Sequence, residues 1–113
     1  MKLMVLILNS VDKLDSLLEG LSAAGIGGAT IIESSGLAQT LNRIGSSILT
    51  AAIKDIIGAA DSDNKTVLSV IENEQLETVR KVIYATVGDL SLPNTGILFT
   101  VPIDFAEGIP VRK

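Results

Sequence analysis

Two short segments of this chain are apolar on both sides, and that constrains its fold more than anything else in it. In segment 2–8, Leu3, Val5 and Ile7 point one way from an extended backbone. Met4, Leu6 and Leu8 point the other. In segment 96–103, Ile97, Phe99 and Val101 oppose Leu98, and Thr100 is the polar exception. A sheet with one face in water alternates apolar and polar residues. These segments barely alternate, so a fold that uses them as strands must cover both faces of its sheet.

The remaining elements follow from periodicity and punctuation. After the first strand, Asn9 or Ser10 is placed to cap a helix. Leu14, Leu17, Leu18 and Leu21 form one helical stripe, and Gly25 stops it. Residues 29–33 read as a second strand and 65–71 as a third. Asn73 is placed to cap a second amphipathic helix, with Leu76, Val79, Val82 and Ile83 on one face. Residues 88–94 form a turn-rich loop with Pro93 and Asn94 as breakers. Between the second and third strands runs a long connection, 34–64. Within it Ile48, Leu49, Ala52, Ile53, Ile56 and Ile57 repeat with helical spacing between Ser46-Ser47 and Gly58, which predicts a short helix over 46–57.

The order predicts an α+β fold of ferredoxin-like type, βαββαβ, over a single domain spanning 1–113. Its sheet is antiparallel, with both main helices on one face and an extra short helix in the long connection. Two helices cover only one face. The second is expected to be covered by neighbouring copies of the chain, since unpaired apolar patches mark interfaces. The 46–57 helix is the alternative cover, and it is also a candidate for docking a partner protein.

Composition removes several function classes. The chain of 113 residues has no cysteine and no histidine, which removes disulfides, the usual zinc sites, thiol nucleophiles and imidazole bases. No catalytic constellation and no metal site is expected. The formal charge of −4 and only three aromatic residues, Tyr84, Phe99 and Phe105, argue against nucleic acid. No stretch reaches membrane-spanning length. The apolar start breaks at Asn9, too early for a secretory core, so the cytoplasm is the expected location.

Local motifs add little chemistry. Gly25-x-Gly27-Gly28 follows a helix, so it reads as a cap and turn rather than a dinucleotide fingerprint. Asp61 and Asp63 lack the later glycine and glutamate of a calcium loop and read as a solvated turn. Gln39, Asn42 and Arg43, near the start of the long connection, are candidates for a ligand or partner contact. Arg43 is the strongest anion binder among them.

Two stretches resemble nitrogen regulatory P-II proteins. Ala24-Gly25-Ile26-Gly27-Gly28-Ala29-Thr30-Ile31-Ile32-Glu33-Ser34-Ser35-Gly36 looks like the family's Gly-Ile-x-Gly-x-Thr lead into its second strand. Gly96-Ile97-Leu98-Phe99-Thr100-Val101-Pro102-Ile103 looks like its Gly-Lys-Ile-Phe-x-x-Pro-Val fourth strand. The resemblance implies a homotrimer with its sheets packed inward and a cleft between subunits for a nucleotide-like ligand. It further implies a signalling role toward a partner protein through the long connection. Thr30 and Gly36 match positions lining that cleft, and Gly96 matches a glycine of its second loop. No enzymatic step and no cofactor belongs to this reading.

The chain also departs from the family. Ile97 stands where the family has a phosphate-binding lysine, and 106–109 carries no arginine pair. The long connection has no tyrosine to modify. These departures point to a divergent branch. The alternative reading is a ligand-free interaction or structural module that binds a partner through its 46–57 helix.

Overall fold

The structure is a computed structural model, and it describes residues 1–37, 40–41 and 64–109. The expected helix over 46–57 lies outside those residues.

Among the described residues the main elements are, in chain order, β1 (Lys2–Leu8), α1 (Leu14–Ala23), β2 (Thr30–Ser34), β3 (Asn64–Ile71), α2 (Leu76–Thr86) and β4 (Gly96–Pro102). The strands form one sheet in the order β2-β3-β1-β4, and every neighbouring pair is antiparallel. The most aliphatic strand, β1, therefore has a neighbour on each side. Val5 lies opposite Leu68 on β3 and Phe99 on β4, while Leu6 lies opposite Val67 and Leu98.

The two faces separate by parity. Met4, Leu6 and Leu8 are fully buried, in one cluster with Val67 and Ile71 of β3, Leu17 and Leu21 of α1, and Val79 and Ile83 of α2. Both helices thus sit on one face. Leu14, Leu76 and Val82 pack against the cluster's margin, whereas Leu18 is half-buried outside it. Gly20 lets the helices approach closely, because a Cβ there would lie 2.9 Å from Val82 Cγ1.

Helix ends show where local chemistry agrees with the pattern and where it does not. Gly25 takes a φ of +88°, the left-handed conformation that glycine adopts without a Cβ penalty. Its N–H donates to the Ser22 carbonyl at 3.1 Å, and the Ile26 N–H donates to the Leu21 carbonyl at 3.0 Å. These are the two bonds of a Schellman ending, and buried Ile26 completes it.

The two expected N-caps are corrected. A 3-10 turn, Val11–Lys13, precedes α1, so neither Asn9 nor Ser10 caps that helix. The Ser10 hydroxyl instead donates to the Asn94 carbonyl at 3.1 Å. A second 3-10 turn, Asn73–Gln75, places Asn73 inside the turn rather than at its cap. Here Gln75 Oε1 accepts the Glu72 backbone N–H at 2.8 Å, the returning half of a capping box.

Replacing Leu6 with Ala is expected to destabilise the chain by about 2–5 kcal/mol, since it leaves a cavity at the centre of the buried row. Gly25→Ala should cost about 1 kcal/mol through its left-handed φ. Chemical denaturation of each variant against the parent measures both. A Leu6→Ala loss below that of Gly25→Ala would contradict the packing described.

Candidate functional site

The face of the sheet away from the helices is built from the other parity of the same strands. Leu3, Val5 and Ile7 of β1 lie opposite Val101, Phe99 and Ile97 of β4. On the other side they lie opposite Val70, Leu68 and Thr66 of β3. Val5, at the centre, is only 8 % exposed because its neighbours screen it. The margin is open: Ile97, Phe99 and Val101 are 58 %, 45 % and 42 % exposed, and Ile32 on β2 is 45 % exposed. This outer face is therefore a continuous apolar surface, with Ser34 and Thr66 joined by a 2.8 Å hydroxyl–hydroxyl hydrogen bond at one corner.

The site residues expected from the sequence fall in three places. Thr30 opens β2, an edge strand, opposite Leu68. Its exposed side chain lines an open cleft of about 970 Å³. The floor of that cleft is the outer face near Leu3, Leu68 and Val70, and its walls include Glu72, Gln75 and the segment 106–109. Gly36 follows β2 at the opposite end of the sheet, and its carbonyl accepts the Thr40 N–H at 3.0 Å. Gly96 opens β4, the other edge strand, opposite Leu8. Gln39 and Arg43 lie outside the described residues, as do Asn42, Asp61 and Asp63.

One chain does not bring these positions together. Edge strands β2 and β4 are three strand spacings apart, about 14 Å. Gly36 and Gly96 share one end of the sheet, while Thr30 borders the cleft toward the other.

Gly96 has a structural duty of its own. A Cβ there would lie 2.8 Å from the Ile7 carbonyl oxygen, a backbone atom that cannot swing aside. The loop before it is pinned to the end of β1, because the Asn9 and Ser10 N–H groups both donate to the Thr95 carbonyl, at 3.1 and 3.3 Å. Buried Thr95 turns its hydroxyl onto the Leu92 carbonyl at 2.9 Å. Within the same loop, Asp89 Oδ1 accepts the Ser91 N–H at 2.9 Å and the Ser91 hydroxyl at 2.7 Å. The Ser91 backbone N–H, and after it the hydroxyl, hold the Asp89 carboxyl below its ordinary 3.8. On the β2–β3 ladder, Lys65 donates to Glu33, so its charge already has a partner.

Reading the residues alone missed two parts of this arrangement. The segment 106–109 has no periodicity that would announce it as a cleft wall. The Thr95 pin depends on a contact with Asn9 and Ser10, far off in sequence, that no local motif encodes. Among the described residues, no helix is long and apolar enough to cross a membrane, and no group of three acidic side chains is placed to hold a metal ion.

No protein-family model matches the chain, and no curated protein matches it.

Gly96→Ala is expected to lower the melting temperature by several degrees without any ligand, because β4 must move off Ile7. Thr30→Ala should leave stability within about 0.5 kcal/mol, since its side chain is exposed. Equal melting temperatures for Gly96→Ala and the parent would remove the steric account. For Asp89, an NMR titration should give a midpoint below the ordinary carboxyl range, moving up in Ser91→Ala. A carboxyl depressed in the folded chain stabilises it above the unfolded pKa. That contribution disappears as pH falls through the folded value. Ser91→Ala keeps the backbone N–H, the larger cause, so an unchanged midpoint in that variant would contradict only the share assigned to the hydroxyl.

Proposed function

We propose that this chain is a P-II-like regulatory protein on a ferredoxin-like domain. In this reading it assembles as a trimer through the outer face of its sheet. It takes a small, nucleotide-like ligand in the clefts between copies and signals to a partner protein through the 34–64 connection. No residue carries out chemistry; binding shifts the balance between two arrangements of that connection.

The observation that carries the proposal is the outer face. Burying a large aliphatic or aromatic side chain is favourable by about 1.5–3 kcal/mol. Ile97, Phe99 and Val101 stand partly in water along one edge strand, beside Leu3, Val5 and Ile7. Packing this face against neighbouring copies would dry it. A shared cleft requires, further, that the Thr30 side of one copy meet the Gly96 side of another. The strand order, with β1 central and β2 and β4 at the edges, supports the ferredoxin-like reading. At the family's lysine position, Ile97 lies on the outer face as an apolar group. That supports a divergent branch with weaker demand for phosphate.

Light scattering should return three times the 11.8 kDa mass of the chain. Phe99→Glu, which places a charge at the proposed contact, should reduce that mass to one chain while preserving the far-ultraviolet circular dichroism. A parent chain that scatters as a monomer would sink the assembly and the cleft together. The ligand is tested separately, by thermal shift with ATP, ADP, AMP and cyclic nucleotides. A compound present at about a hundred times its dissociation constant stabilises by about 2.7 kcal/mol. A trimer unmoved by every compound at millimolar concentration would instead favour the ligand-free interaction module.

A further inference from the structure

We draw no further inference here: the strongest candidate, the open cleft between the start of β2, the Glu72 end of β3 and residues 106–109, shares Thr30 with the site already described, and nothing among its described walls selects one class of ligand over another.

Discussion

The burial of Met4, Leu6 and Leu8 beneath the two helices is the contact on which the rest of the fold depends. It fixes the parity of β1, and through antiparallel pairing it fixes the parity of β3 and β4. A slip of one residue would exchange the two faces of β1. Both faces are aliphatic, so hydrophobicity alone discriminates weakly between these registers. Pairing and connection geometry supply the difference. The Thr95 carbonyl, which accepts from Asn9 and Ser10, locks the end of β1 to the start of β4. Gly96 allows that close approach, because any side chain there would meet the Ile7 carbonyl.

The same parity creates the outer face. Once Met4, Leu6 and Leu8 go inward, Leu3, Val5 and Ile7 must go outward. Their partners on β4 follow, and the most exposed large apolar groups of that strand fall on one side together. The apolar surface is thus a consequence of how the core is made. What distinguishes this sheet from a half-wet one is that its outer positions on β1 and β4 are all apolar, and the polar ones, Thr30, Ser34, Asn64 and Thr66, are confined to β2 and β3. The proposed assembly accounts for that choice, and it accounts for the distance between Thr30 and Gly96 within one chain.

Much of this was legible in the residues. The continuous aliphatic run of β1 reads as a buried strand, and the stripe ending at Gly25 as a helix with a glycine stop; the structure has both. Strand limits moved by a residue, as where Ser34 and Asn64 join the β2–β3 ladder that periodicity had placed at 29–33 and 65–71. The N-caps were misread for one reason in both helices. A 3-10 turn intervenes, and it uses the polar residues next to it differently from an α-helical start. Among the site residues, Gly96 shows the limit most clearly. Sequence resemblance assigns it to a ligand loop, but its lack of a side chain is already required by the backbone of β1. Such a steric demand comes from residues distant in sequence and leaves no local pattern. Gln39 and Arg43 lie outside the described residues.

The central claim is that the outer face of the sheet is covered in the working protein. Methyl NMR with a soluble paramagnetic agent reads that directly, residue by residue. If the account holds, the methyl groups of Ile97 and Val101 will be shielded almost as well as those of Leu6, which is buried in the core. Broadening of Ile97 and Val101 as strong as that of exposed Leu92, at every protein concentration, would contradict it.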